Sequence, residues 1–295
     1  MSPISWKSVE HAVSTKLAYS ARVLAEPWRY DLDKLESAVA AAEELRSSGR
    51  KIGSEQLANA SWVVHRFGEA VVAVGRAYTH VRAGKHREGW IALVDGEDAL
   101  NALHGFESLS PVALPVDWLL QHVLQMQKPF PYQLFASTGL KIRKQVCSIC
   151  GSPVSPFTDC GHELGGLYMG ERCGAVVLDA ELMEASLVRH PADKRCVMLG
   201  SSEGGIVRDH HNYRAVDHLF ANLVGPFARF QVTVSTRHYP PTKFQSLSAD
   251  RLCPCRSGET YGRCCKGKKR IPVEHLDMVF EIPAPGARVI KDELL

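Results

Sequence analysis

The nine cysteines of this 295-residue chain all lie from residue 147 onward. The first group falls between residues 147 and 196 and the second between residues 253 and 265, whereas residues 1–146 contain no cysteine. In a reducing compartment, closely spaced cysteines are more often metal ligands than disulfide partners. The distribution therefore predicts a cysteine-free N-terminal region and a second region that needs metal to fold.

The sequence predicts neither a secretory nor a membrane segment. The first 14 residues already carry Lys7, Glu10 and His11 where a signal peptide has an apolar run. No window approaches the roughly 18 consecutive apolar residues of a membrane span. We therefore expect a cytoplasmic protein without a membrane partner.

Hydrophobic periodicity predicts helices through the N-terminal region. From Ser54 to Gly84 the apolar residues form one continuous helical stripe, which Ser54 can cap and Gly84 can end. Similar patterns predict four more helices, near residues 9–24, 35–45, 86–103 and 117–127. We expect a helical bundle in which the helices bury their apolar stripes against one another. The alternative is a peptide-binding solenoid, because the helix pair around Gly84 loosely resembles a tetratricopeptide unit, although no second copy follows at a period of about 34 residues.

The first cysteine group has the spacing of a structural zinc site. Cys147 and Cys150 form a CxxC knuckle, and Cys160 with His162 supplies a second pair. Four such ligands suit Zn(II) in a closed tetrahedral site. Cys173 is an alternative fourth ligand to His162, and ordinary reduced thiols are the other interpretation. After Cys173 the sequence alternates as a strand does, and it does so again from Phe230 to Val234.

Two catalytic zinc signatures fail in detail. His162 and Glu163 begin an HExxH pattern, but Gly166 stands where the second histidine belongs. His86 and Glu88 match the HxE of cytidine deaminases, but Val146 replaces the proline that precedes the deaminase cysteine. Whether the chain is an enzyme is uncertain, and the sequence favours a protein that is not one.

A histidine and aspartate cluster lies between the two cysteine groups. These side chains can bind a second metal or act in acid and base catalysis. A solvated loop followed by a helix start is the favoured interpretation, because the apolar residues after the cluster repeat with helical spacing. The cluster consists of Asp209, His210, His211, Asp217 and His218.

The segment from residue 147 to residue 196 resembles zinc-binding segments of phage and prophage proteins. The shared features are CxxCG, CxH, GxxYxGxxC and the following MEASLVRHPAD. This resemblance implies a setting, an accessory role in a phage-defence or mobile-element system, and no activity.

The second group, in DRLCPCRSGETYGRCCKGKKR (residues 250–270), has a more specific spacing. It resembles the SEC-C motif, the small zinc module named for the C-terminal tail of the preprotein translocase ATPase SecA. The resemblance implies that Cys253, Cys255, Cys264 and Cys265 bind a second zinc ion. Arg256 stands where the motif usually has glycine. Because the segment has almost no aliphatic side chains, it depends on metal to fold, and zinc supplies roughly 10 kcal/mol or more.

The net charge of +3 conceals a strongly basic module. Residues 251–270 carry seven basic side chains against Glu259 alone, so even with the two negative charges of a Zn(Cys)4 unit the net charge is about +4. The resemblance implies a protein partner, since in SecA the motif contacts a chaperone. RNA or DNA phosphates are the alternative partner, and a solvated loop is the third interpretation. The candidate contact residues are Arg256, Arg263, Lys266, Lys268, Lys269 and Arg270.

The sequence predicts an α+β protein with two zinc ions. We expect an α-helical bundle (1–130), a mixed α/β region with the first zinc site (131–248), the SEC-C module (249–270) and an extension that packs back on the body (271–295). The predicted function is a zinc-binding adaptor or interaction protein. The alternative is a nucleic-acid-binding protein or nucleic-acid-directed enzyme with structural zinc sites.

Overall fold

The computed structural model has an α+β fold in which helices come first and small sheets follow. It describes residues 6–198, 202–203, 206–207, 209, 211–251, 253–255, 257 and 259–281. The predicted fold class is confirmed, whereas the four domain limits stay predictions.

Five helices form the N-terminal region, in the five places where the periodicity predicts them. They are α1 (Trp6–Ala25), α2 (Leu32–Ile52), α3 (Glu55–Arg82), α4 (His86–Ala102) and α5 (Val116–Gln127). The Ser54 side chain accepts a hydrogen bond from the Leu57 N–H at the start of α3, and Gly84 follows its end at a φ of 75°. In the part of the chain that the structure describes, no helix is long and apolar enough to cross a membrane.

Helix α3 lies at the centre of the core. It packs against α2 and α4, and α1, α5 and a later helix are also in contact with it. For this reason α3 buries more of its circumference than one amphipathic stripe, and Val63, Phe67 and Val71 are fully inaccessible. The α2–α3 corner is tight, since a Cβ on Gly49 would lie 2.7 Å from the Ala58 nitrogen.

Strands and two short helices follow the five N-terminal helices, and four of the strands are long. In chain order these later elements are β1 (Phe135–Cys147), β2 (Leu167–Tyr168), β3 (Glu171–Arg172), β4 (Ala175–Val188), β5 (Ser202–Glu203), β6 (Ile206–Val207), α6 (Arg214–Asn222), β7 (Phe230–Tyr239), α7 (Tyr261–Cys264) and β8 (Ile271–Phe280). Among the described residues, the strands form four two-stranded antiparallel sheets, which pair β1 with β4, β2 with β3, β5 with β6 and β7 with β8.

The two long ribbons hold both cysteine groups at their ends. The β1–β4 ribbon begins in the core, where Phe135 faces Val188, and its last pair is Cys147 with Ala175. The β7–β8 ribbon ends similarly, beyond the pair of Tyr239 with Ile271. The candidate ligands of both groups therefore lie at the ends of these ribbons or in the hairpin connections, whereas Cys196 follows β4. The predicted extension begins as β8, and its residues 282–295 lie outside the described residues.

Candidate metal centres

The first cysteine group converges on one point. One ligand atom from each of Cys147, Cys150, Cys160 and His162 lies within 4.8 Å of the other three. Cys147 is the buried end of β1, whereas Cys150 is exposed. The group can hold one metal ion, as the spacing predicts.

A tight backbone turn brings the CxxC pair together. The Gly151 N–H donates to the Cys147 carbonyl at 2.9 Å, and the Cys147 N–H donates to the Ser152 carbonyl at 2.8 Å. Gly151 adopts a φ of 71°, which glycine adopts at little cost. A hydrogen bond from the Cys150 backbone N–H lowers the pKa of the Cys147 thiol to about 7. The turn thus favours the thiolate that a metal binds.

His162 offers a direct test of whether a metal fits. Its Nδ1 is buried and has no hydrogen-bond partner among the described residues. The Tyr168 ring meets the imidazole edge to face at 4.7 Å, and the Tyr168 hydroxyl accepts a hydrogen bond from the Glu163 N–H. A buried polar nitrogen left unpaired costs about 1–3 kcal/mol. Three thiols and one imidazole are a donor set that suits a metal ion, so a metal fits this site.

Cys173 is the fifth potential ligand. Its Sγ lies 3.6 Å from the Cys147 Sγ, and burial, together with its neighbours, raises its pKa to about 11. It is nevertheless not part of the mutually close set that contains His162. The choice between His162 and Cys173 stays a prediction, and the geometry favours His162.

The segment that carries the first cysteine group makes hydrogen bonds to the N-terminal helices. The β2–β3 turn at Met169 and Gly170 lies against the α2–α3 corner, where the Arg50 guanidinium donates to the Met169 carbonyl at 2.8 Å. The Gly170 N–H donates to the Asn59 Oδ1 at 2.6 Å. Gly170 has a φ of 71°, and a Cβ there would lie 2.7 Å from the Ala58 carbonyl oxygen. Neither these contacts nor strand β1 is part of the sequence prediction.

The second cysteine group also converges on one point. Cys253, Cys255, Cys264 and Cys265 place their Sγ atoms within 4.8 Å of one another. Adjacent sulfurs are 3.3–3.6 Å apart, and the Ser257 hydroxyl donates to the Cys264 Sγ. Burial opposes ionisation of Cys255, but hydrogen bonds from Ser257 and from the neighbouring thiols lower its pKa to about 6. This group can also hold one metal ion, so the chain offers two sites, as expected.

A small apolar cluster includes part of the second cysteine group. Cys253 and Cys265 pack with Tyr261, Ile271 and Val273, all of them buried. The Cys253 N–H donates to the Glu259 carbonyl at 2.8 Å, and the Tyr261 N–H donates to the Arg251 carbonyl at 2.7 Å. The ligands are therefore carried by the end of the β7–β8 ribbon.

The basic residues of the module lie on its surface. Arg263, Lys266, Lys269 and Arg270 are exposed. Lys268 is also exposed, and a hydrogen bond with the Cys265 thiol raises its pKa, which places this cation next to the ligand set. Arg256 lies outside the described residues.

The structure places His86 beside the histidine and aspartate cluster, although it is distant in sequence. His86 at the start of α4 places Nε2 2.6 Å from the Asp217 Oδ1 and stacks on Tyr213 at 4.1 Å. Asp209 accepts hydrogen bonds from Tyr213 and, at 2.8 Å, from the His211 Nδ1. Within the described residues, neither group of potential ligands includes these side chains.

His210 lies outside the described residues, and His218 on α6 lies beside Asn222. The sequence prediction does not include His86 in this cluster, since no local pattern links positions so far apart.

Cys196 belongs to neither metal group and is exposed. Comparisons of the chain with protein-family models, with curated proteins and with solved structures found no match.

Proposed function

We propose that this protein is a zinc-binding adaptor whose C-terminal module contacts an acidic surface of a protein partner. The observation that carries the proposal is the combination of a closed four-sulfur group with exposed cations around it. The resemblance of residues 250–270 to the SEC-C motif supports a protein as the partner. A place in a phage-defence or mobile-element assembly stays a prediction.

The ligand chemistry supports zinc with a structural role. Four thiolates, or three thiolates and an imidazole, at tetrahedral spacing are ligand sets that Zn(II) prefers. When all four positions are protein ligands, no position is left for a substrate water. The metal would then contribute to folding of the hairpin ends.

The charge of the module supports an anionic partner. Lys266, Lys269 and Arg270 are exposed, whereas Lys268 lies next to Cys265 and offsets the charge of the thiolates. Exposed charges contribute mostly to association rate and partner choice, so we expect binding that weakens as salt rises.

The experiment is a comparison of two charge-reversal variants of the full zinc-loaded chain. Lys269→Glu/Arg270→Glu changes the module, and Lys51→Glu/Lys85→Glu changes two exposed lysines on the helical domain. Each is used as bait in nuclease-treated lysate of the native host, after two zinc ions per chain have been confirmed. We expect one protein to be retained by the wild type and the control and lost from the module variant. Equal retention by both variants would overturn the proposal.

Nucleic acid is the second candidate partner, and the exposed Lys266, Lys269 and Arg270 are the specific observation in its favour. Phosphate contacts by these side chains would give an affinity that falls with salt regardless of base sequence. The discriminating measurement is the slope of log K against log salt for a single strand. Each lost contact should reduce this slope by about 0.7. No binding at low salt would exclude this candidate.

A further inference from the structure

The first metal group has one more potential ligand than a closed zinc site uses. Cys147, Cys150, Cys160 and His162 form the mutually close set in the described part of the chain. Cys173 adds a fifth donor, because its Sγ lies 3.6 Å from the Cys147 Sγ. Two sulfurs bound at about 2.3 Å to one tetrahedral ion are about 3.8 Å apart, so Cys173 can share an ion with Cys147. When a four-coordinate ion fills the site, one of the five donors is left unbound.

Backbone hydrogen bonds hold Cys173 beside the CxxC turn. The Ser148 N–H donates to the Gly174 carbonyl at 2.8 Å, and the Gly174 N–H donates to the Ser148 Oγ at 2.9 Å. The Cys173 N–H itself donates to the Gly166 carbonyl at 2.7 Å. The Cys173 side chain is 3% exposed, and that of Cys147 is 2% exposed. The fifth thiol is therefore placed inside the metal group and not at its solvent-facing edge.

The charge of the full site depends on which donor is left out. His162 binds a metal as a neutral imidazole, whereas Cys173 binds as a thiolate, so exchange of the two adds one negative charge. Because Cys147 and Cys173 are both buried, this additional charge costs free energy. Zn(II) binds imidazole as well as thiolate, and it gains little from the exchange. Zinc therefore keeps His162.

We propose that the first metal group has two ligand sets and that the ion selects between them. Zn(II) takes Cys147, Cys150, Cys160 and His162, whereas a thiophilic divalent ion such as Cd(II) takes Cys173 in place of His162. Thiolate ligands select the softer ions, and the stronger metal–sulfur bond offsets the cost of the additional buried charge. Cys173 releases its thiol proton to solvent when it binds, and the imidazole of His162 leaves the ion as a neutral group.

Competition titrations of the full chain with zinc and with cadmium test the proposal. Cys173→Ala should weaken cadmium binding by about tenfold or more and change zinc binding little, and His162→Ala should do the reverse. Cys196→Ser is the control for both ions, because Cys196 is exposed and outside both groups. The second group is the same in all of these proteins, so a difference between them belongs to the first group. If Cys173→Ala weakens both ions equally, or neither, the proposal is overturned.

X-ray absorption spectra of the wild type identify the donor atoms without any variant. The zinc-loaded protein should need an imidazole ligand to fit its spectrum, because His162 binds one of the two ions. The cadmium-loaded protein should fit with sulfur ligands alone, since the second group already offers four sulfurs. An imidazole on cadmium would overturn the proposal, as would sulfur alone around both zinc ions.

Discussion

Tyr239 lies directly opposite Ile271 in the last pair of the β7–β8 ribbon, so the second metal group occupies the connection of a β-hairpin. Cys147 and Ala175 have the same relationship in the β1–β4 ribbon, where Cys147 is itself a candidate ligand. Two-stranded ribbons are marginal in water, and a metal at the end of the hairpin opposes the separation of the strands.

Replacement of Cys265 by serine should remove one metal ion. Cys265 is fully buried in the second group, and structural zinc contributes on the order of 10 kcal/mol to small modules. Elemental analysis should therefore fall from two zinc ions per chain to one, and limited proteolysis should cut residues 240–270 first. Cys196→Ser is the control, because Cys196 is exposed and outside both groups. Two ions in the Cys265→Ser protein would contradict the assignment.

His162→Ala and Cys173→Ala should differ in their effect on the first site. The buried Nδ1 of His162 has no other partner in the described chain, whereas Cys173 lies outside the mutually close set. We expect His162→Ala to weaken metal binding at least tenfold and Cys173→Ala to change it little. Competition with a chromophoric chelator measures the affinities. Co(II) spectra give the number of bound thiolates, and the opposite order of effects would make Cys173 the fourth ligand.

Gly170→Ala should loosen the first metal group from the helices. An alanine there would have to adopt a φ of 71° with its Cβ 2.7 Å from the Ala58 carbonyl oxygen. The left-handed conformation alone costs roughly 1–2 kcal/mol, so we expect a loss of about 2–3 kcal/mol in the free energy of unfolding. Gly174→Ala is the control, because a Cβ at that position meets nothing within 4 Å. Denaturant unfolding measures both variants, and equal effects would argue against the tight contact.

Stability should fall as the pH drops below about 6.5, and His122 should contribute to this loss. His122 is buried between Trp118 and Phe230, its Nε2 lies 2.8 Å from the Pro226 carbonyl oxygen, and burial lowers its pKa. The folded chain therefore holds His122 neutral while the unfolded chain takes up the proton. The stabilisation is complete above the unfolded pKa and is lost as the pH falls toward the folded one.

The measurement is the free energy of unfolding at pH 7.5 and at pH 5.5. His122→Gln keeps an amide donor for the Pro226 carbonyl but does not titrate. Its loss of stability between these two pH values should be smaller than that of the wild type. All other titratable groups are the same in both proteins, so the difference between them isolates His122. An equal loss in the two proteins would contradict the role of His122.

The helices and both groups of potential metal ligands could be predicted from the sequence because their signals are local. The apolar residues between Ser54 and Gly84 repeat at the spacing of one helical turn, and a capping side chain bonds to the backbone of the first turn. The spacings of Cys147 with Cys150 and of Cys264 with Cys265 limit which side chains can reach one ion. Such patterns depend on residues that are close in sequence, so they can be recognised without knowing how the rest of the chain folds.

Tertiary structure decided the features that join distant positions. The pairing of His86 with Asp217 and the attachment of Met169 to Arg50 have no sequence pattern, because neither partner is near the other along the chain. Strand β1 follows the same rule. Phe135 becomes a neighbour of Val188 only through the β1–β4 register, and the burial of Phe135 attaches this end of the ribbon to the core. The sequence by itself determined the local elements and the groups of potential ligands. Strand register and core packing depend on contacts across the whole chain, and they decided how these elements are arranged.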